Sequence, residues 1–325
     1  MTKVAILDDW QGVGHSSADW GTLAQLAELE FFEEPFAGPD EFVKKLAGFD
    51  VIIAMRERSA FPKEVIDKLG KLQMIALTGA RTWTMDMDAC TRRRILVCHT
   101  AATIASAATA ELALGLLLAA ARHIPAADAS MRDGRFQQKL AVGRVLEGAT
   151  LGVVGLGKIG SRMARYGQAL GMNVLGWSQN LTDEVARAAG ARRVDKDTLL
   201  AESDAISLHV VLSERSRGII GAADLAKMKD DVILVNTSRG PLIDEAALLE
   251  NLRGGRLTAA LDVYDQEPLP ADHPLRSLPN TVLTPHQGYC TREIYSQFYR
   301  ESIENVLAYL NKAPIRMLNP DAWQD

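Results

Sequence analysis

Three polar residues, Arg239, Glu267 and His286, stand in that order along the chain, each a few residues beyond an apolar, strand-like run. An arginine grips a carboxylate with parallel N–H donors, a histidine takes or gives a proton near neutral pH, and a glutamate beside it stabilises the charged ring. Such a set suits hydride exchange at a carbon that bears a hydroxyl group. Upstream lies Gly155-Leu156-Gly157-Lys158-Ile159-Gly160, which follows the apolar run 151–154 and opens a helix-forming stretch, 161–170. In that strand, turn and helix context Gly155 permits the tight turn, Gly157 lets backbone approach a pyrophosphate, and Gly160 lets helix pack on strand. The helix start, where Lys158 and Ile159 stand, offers unpaired N–H groups and a positive dipole end to phosphates.

Taken singly, Arg239 reads as a surface arginine, Glu267 as a capping acid and His286 as a turn histidine. Their joint placement at strand ends, downstream of a dinucleotide loop, favours one shared site. None of the histidines at 15, 99, 123, 209, 273 and 286 forms an i, i+4 pair with another, so no metal is expected. After the run 173–177, where an NAD-specific chain carries an acid for the ribose, this one has Ser178-Gln179-Asn180. The missing carboxylate removes repulsion against a 2′-phosphate, yet no arginine follows at once, and Arg192 and Arg193 lie beyond the next helix. Either NAD or NADP is therefore expected.

These residues need sheets to hold them, and the chain is long enough for two domains at 325 residues. An apolar share of 47%, 24% charged residues and a formal net charge of -5 describe a soluble globular protein and give no reason to expect nucleic acid. Cys90, Cys98 and Cys290 are odd in number and lack C-x-x-C spacing, which points to a reducing compartment. With no signal-like start, the expected location is the cytoplasm, with no membrane partner. The run 101–121 imitates a membrane span, but Glu111 sits at its middle, so a buried or subunit-contacting helix is expected. Apolar runs at 3–7, 51–55, 74–78 and 95–100 alternate with amphipathic stretches such as 62–69, and the pattern restarts at 150–154, 173–177, 205–209, 232–236, 257–261 and 281–284. That alternation predicts α/β architecture with parallel sheets, and 293–310 has helical apolar spacing.

The segments HTAATIASAATAELALGLLLAAAR, TLGVVGLGKIG, ISLHVVLSERSRGII, VNTSRGPLIDEAALLENL, AALDVYDQEPL and TPHQGY, in this order, resemble the D-isomer-specific 2-hydroxyacid dehydrogenase family. The spacing matches too, with 267 − 239 = 28 and 286 − 267 = 19 residues between the three polar positions. The resemblance implies two doubly wound parallel-sheet domains, a Rossmann dinucleotide-binding domain (101–290) inserted into a flavodoxin-like substrate domain (1–100 and 291–325), with the active site in the cleft between them. It implies that Arg239 binds the substrate carboxylate and carbonyl, that His286 is the acid/base, and that Glu267 stabilises its imidazolium.

By the same resemblance Asp262 contacts the nicotinamide carboxamide, and His209, Thr237, Thr109 and Ser178 border the cofactor. Gly79, Ala80 and Arg81 match a carboxylate-binding loop that works through backbone N–H groups, and Arg56 matches a frequent arginine of the substrate domain. With Arg58 following, Arg56 and Arg81 suggest a cationic site for an acidic or phosphorylated distal group. Val211 and Tyr289 depart from the family pattern, which has proline and glycine there. Formate dehydrogenases of the family pair the histidine with glutamine, which Glu267 argues against. The family's corepressors, which sense dinucleotide and bind proteins, are the rival from another class; they carry extensions that this span is not expected to hold. Phosphoglycerate, glyoxylate and hydroxypyruvate activities are all compatible, without a regulatory domain. A homodimer built around 107–122 is expected.

Overall fold

The computed structural model describes residues 1–80 and 82–323. It divides into two compact units, Met1–Ile104 with the chain from Cys290 onward, and Ala105–Tyr289. Both are α/β, each built on a wholly parallel sheet, as expected from the alternation of apolar runs.

The first unit has β1 (Thr2–Ile6), β2 (Ala27–Phe31), β3 (Val51–Ala54), β4 (Met74–Leu77) and β5 (Leu96–His99), in the order β2-β1-β3-β4-β5. This is the flavodoxin-like order. Strands β3 and β4 are buried on both faces, which is why they read as unbroken apolar runs. The helix Arg292–Leu310 starts at Thr291, whose hydroxyl accepts the Ile294 N–H, and it buries Ile294, Phe298, Tyr299 and Val306 in the same unit. Residues 316–319 run along the outer edge of β5: His99 N–H donates to the Arg316 carbonyl at 2.9 Å and Leu318 N–H to the Val97 carbonyl at 2.7 Å.

Just past β1, Asp8 has φ 60° and is 1% exposed. Burial pushes its pKa up from 3.8 to about 6, against the opposing effects of the Ser59 hydroxyl and the Arg58 charge. The folded chain therefore holds this proton more tightly than the unfolded one, and the ionised carboxylate costs stability above about pH 6. That cost fades as the pH falls through about 6 toward 3.8, because the folded form protonates first. Asp8→Asn is expected to stabilise the protein at pH 8 by up to about 3 kcal/mol, and by nothing measurable near pH 4. Thermal melts at the two pH values check this; an equal gain at both would remove burial of the charge as the cause.

The second unit has β6 (Thr150–Val154), β7 (Asn173–Trp177), β8 (Arg192–Arg193), β9 (Ala205–Leu208), β10 (Val232–Asn236), β11 (Leu257–Leu261) and β12 (Thr281–Leu283). Their order, β12-β11-β10-β9-β6-β7-β8, reverses direction between β6 and β9, as in a Rossmann sheet. One apolar layer takes Val154, Leu208, Leu234 and Leu261; the alternate residues Leu151, Val153, Val235 and Ala260 feed the layer on the other face. The helix Ala105–Ala121 lays Ala113, Leu116, Leu117 and Ala120 on that second layer and keeps Glu111 exposed. Among the described residues no single helix is long and apolar enough to cross a membrane; this helix and Ile124–Arg132 are bent by 66° at their junction.

Candidate active site

Strand register sets the frame of the site. Trp177, Val154, Leu208, Asn236, Leu261 and Leu283 align across the second sheet. The residues that follow them, Ser178, Gly155, His209, Thr237, Asp262 and Thr284, therefore share one row along the carboxyl edge. Residues up to 129 positions apart (284 − 155) meet there because each strand ends at the same level.

The glycine loop fits a dinucleotide. Gly155 has φ 95°, and a β-carbon on it would stand 2.7 Å from the His209 carbonyl oxygen, so the loop passes tightly over the switch between β6 and β9. A β-carbon on Gly160 would strike the Gly155 carbonyl, whereas one on Gly157 would meet nothing within 4 Å. Close packing at the first and third glycines and open space at the second are what an approaching pyrophosphate requires. The helix Gly160–Ala169 begins just after Lys158 and Ile159, so its amino end, the positive end of its dipole, lies beside that space.

Two buried polar atoms in the row reinforce the fit. Among the described residues His209 Nδ1 and Thr237 Oγ1 have no hydrogen-bond partner. A buried polar atom left unpaired costs free energy, so both are suited to a polar ligand. His209 Nε2 meets the Ser207 hydroxyl at 2.8 Å, and burial lowers the ring's pKa to about 4, which keeps it neutral. Thr109 donates its hydroxyl to the Ala105 carbonyl at 2.8 Å and the Gly288 carbonyl at 3.2 Å, at the far end of the row. Ser178 is half-buried, and Gln179 and Asn180 are exposed; Arg192 and Arg193 are paired with Glu202 at 2.8 Å and Asp183 at 3.5 Å.

His286 and Glu267 meet directly, with Nδ1 2.5 Å from Oε2. The other glutamate oxygen accepts the Tyr264 N–H at 2.9 Å, and the Tyr264 hydroxyl donates to the Thr284 carbonyl at 2.9 Å. Tyr264 thus braces both members of the pair. The turn that carries His286, whose own φ is 51°, is pinned by Asp262. One Asp262 oxygen accepts from the Thr284 hydroxyl at 2.6 Å and the Gln287 N–H at 2.8 Å, the other from the Gly288 N–H at 2.9 Å. Burial raises the Asp262 pKa, while these donors and the neighbouring His286 oppose it. Its carboxylate therefore holds the histidine turn, a task that sequence spacing did not indicate.

Arg239 follows β10 on a loop organised by the buried Asn236. The Asn236 amide donates to the Arg239 carbonyl at 2.8 Å and its oxygen accepts the Ser238 N–H at 3.0 Å. A β-carbon on Gly240 would strike the Tyr264 backbone, so this loop and the one after β11 lie in contact. Asn236 and Tyr264 were not singled out from the sequence. Their signal is tertiary: Asn236 leaves only the trace of a polar residue closing an apolar strand, and Tyr264, three residues beyond β11, leaves none.

In the first unit, Arg56 and Gly79 follow β3 and β4. Arg56 has φ 50°, its N–H donates to the Thr78 hydroxyl at 2.9 Å, and its Nε donates to Glu57 Oε2 at 3.3 Å. Gly79, with φ 78°, donates its N–H to the Thr100 hydroxyl at 2.9 Å, so that amide is already engaged; Ala80 is exposed beside it. Arg81 lies outside the described residues. Arg58 is half-buried, donating to the Asp8 carbonyl at 2.6 Å and the Tyr295 hydroxyl at 3.0 Å, and stacks 4.7 Å from the Trp10 ring. A hollow of about 630 Å³ among Lys3, Asp50, Gln73 and Arg94 opens at the opposite, amino-terminal edge of this sheet, away from these loops.

Comparison with known proteins follows the same lines. Residues 114–288 match the model of the D-isomer specific 2-hydroxyacid dehydrogenase, NAD binding domain. The D-3-phosphoglycerate dehydrogenase of Archaeoglobus fulgidus is 39% identical over 278 residues, which are 85% of this chain and 52% of that protein. The chain thus spans about half the length of that relative. The hydroxypyruvate reductase of Thermotoga maritima is 39% identical over 294 residues, 89% of this chain and 93% of its own length. The crystal structure of a phosphoglycerate oxidoreductase from Vibrio cholerae superposes with a TM-score of 0.90 at 34% identity, covering 96% of this chain and 100% of that one. Agreement of this length and identity, on the very sheet whose ends carry the glycine loop and the histidine, means that the chain belongs to the D-isomer specific 2-hydroxyacid dehydrogenase family.

Proposed function

We propose that the protein is an NAD(P)-dependent dehydrogenase exchanging hydride with C2 of a D-2-hydroxyacid or its 2-oxoacid. The observation that carries this is the 2.5 Å contact between His286 Nδ1 and Glu267 Oε2, on the edge that also bears the glycine loop. With Nδ1 turned to the glutamate, Nε2 is the nitrogen that gives a proton to the carbonyl oxygen in reduction and takes one from the hydroxyl in oxidation. Glu267 stabilises the imidazolium form that reduction requires. Arg239 orients the substrate through its carboxylate and carbonyl oxygens, using the planar guanidinium fork. Gly79 and Ala80 supply the loop for the carboxylate, with Arg56 beside it.

When bound, the nicotinamide supplies or takes up the hydride. Gly155, Gly157, Gly160 and the amides of Lys158 and Ile159 hold the pyrophosphate; Ser178 lies toward the adenosine ribose; Thr109, His209, Thr237 and Asp262 line the nicotinamide side. Without an acid at 178–180, a 2′-phosphate meets no repulsion there, so both dinucleotides are accepted. Initial rates of NADH and NADPH oxidation with glyoxylate, hydroxypyruvate, phosphohydroxypyruvate, pyruvate and an aromatic 2-oxoacid test the proposal. Reduction of at least one member supports it; binding of dinucleotide without any turnover across the panel sinks it.

The protein also works as a homodimer, joined through the helix Ala105–Ala121 and the segment after it. Ile124, Met131, Phe136 and Val145 are 52%, 55%, 63% and 76% exposed along that stretch, more apolar surface than a monomer needs. Light scattering at micromolar concentration is expected to give twice the monomer mass, and a monomer mass refutes this assembly.

A further inference from the structure

We infer that Tyr264 is a positioning residue for proton transfer: its hydroxyl holds the turn of His286 where the ring meets Glu267, and turnover depends on that hold. The inference rests on the dehydrogenase function proposed above and adds to it a residue that acts through the acid/base pair.

Tyr264 is buried three residues beyond β11 and reaches both halves of the pair. Its N–H donates to Glu267 Oε1 at 2.9 Å, which leaves Oε2 for His286 Nδ1 at 2.5 Å. Its hydroxyl donates to the Thr284 carbonyl at 2.9 Å, with the Leu261 carbonyl farther off at 3.3 Å. The Thr284 carbonyl also accepts the His286 N–H at 3.1 Å. One oxygen thus joins the tyrosine to the backbone of the histidine, whose φ of 51° is uncommon for any residue but glycine and persists where neighbours hold it. The loop that carries Arg239 leans on the same residue, since a β-carbon on Gly240 would stand 2.1 Å from the Tyr264 carbonyl carbon.

The hydroxyl serves as a donor. Burial, together with the charges of Asp262 and Glu267, pushes its pKa well above the ordinary tyrosine value, so it keeps its proton and does not compete with His286 as an acid. Phenylalanine in its place would keep the buried ring and the N–H on Glu267 and lose only the O–H. Asp262 still grips the turn through the Thr284 hydroxyl and the Gln287 and Gly288 amides, so the turn stays folded while its Thr284 carbonyl is freer to swing. A ring that swings with it spends less time aligned on Glu267, and proton delivery suffers because it depends on alignment.

The test measures kcat and KM with the best 2-oxoacid of the panel at saturating dinucleotide, in the full chain, Tyr264→Phe, Glu267→Gln and the double variant. Tyr264→Phe is expected to lower kcat about tenfold, with KM and NADH affinity within about twofold. In the Glu267→Gln background the same exchange is expected to cost less than about twofold, because the contact it serves is already weakened. Unchanged kcat in Tyr264→Phe overturns the inference, and so does an equal loss in both backgrounds, which a purely structural role would give. Proton NMR in the cold, where a weakened fold persists, gives a reading apart from turnover. The downfield signal of the His286 Nδ1 proton is expected to move upfield in Tyr264→Phe, and a signal that stays in place overturns the inference as well. A full chain that reduces no 2-oxoacid removes the dehydrogenase function and the inference with it; an active full chain indifferent to Tyr264→Phe removes this inference alone.

Discussion

His286→Ala is expected to lower kcat for 2-oxoacid reduction by on the order of 10³, with dinucleotide affinity almost unchanged. The size follows from what one ring does. Its Nδ1 is committed to Glu267 at 2.5 Å, so a single atom, Nε2, remains to deliver the proton. Water that enters the space left by alanine is not held in line with the carbonyl oxygen. The loss should therefore persist at every pH tested, in contrast to a change that merely shifts a titration. The turn itself survives the exchange, because Asp262 grips the Thr284 hydroxyl and the Gln287 and Gly288 amides and does not depend on the ring. Steady-state rates with a fluorescence titration of NADH make the measurement; a rate within a few-fold of the parent protein would remove the acid/base role.

Arg239→Ala is expected to lower kcat/KM by on the order of 10³, and Arg239→Lys to recover little of it. A lysine keeps the charge but loses the two parallel donors that hold a carboxylate and its neighbouring carbonyl oxygen in one orientation. Asn236 makes the experiment clean, since it bonds the Arg239 carbonyl and the Ser238 N–H, both backbone groups that the exchange leaves in place. Dinucleotide affinity should stay within about twofold for the same reason. If it falls in parallel with turnover, the arginine supports the cofactor and the substrate role is misassigned.

Much of this was legible in one dimension, for a physical reason. A parallel strand covered on both faces must be apolar throughout, so β6, β10 and β11 announce themselves as runs, and the residue after each run falls on the row where ligands bind. Two of the edge strands, β2 and β8, escape that logic. The Ala-Glu-Leu-Glu-Phe of β2 alternates because only one face is covered, and the two arginines of β8 are exposed and look like loop. The bracing of the site was hidden for another reason. Tyr264 joins Glu267 to Thr284, and Asn236 shapes the Arg239 loop, by hydrogen bonds that no spacing rule encodes.

The division of the chain also bears on how it is made. The first unit is written in two instalments, and its second, from Cys290 onward, supplies the helix Arg292–Leu310 and the stretch that bonds the free edge of β5. During synthesis the first sheet leaves the ribosome with that edge open and part of its apolar face bare, and it waits while the 185 residues from 105 to 289 are added (289 − 105 + 1). The second unit is complete within that interval. The nascent first unit is the vulnerable partner, an unpaired strand edge on an unfinished core until the segment from Cys290 onward is added.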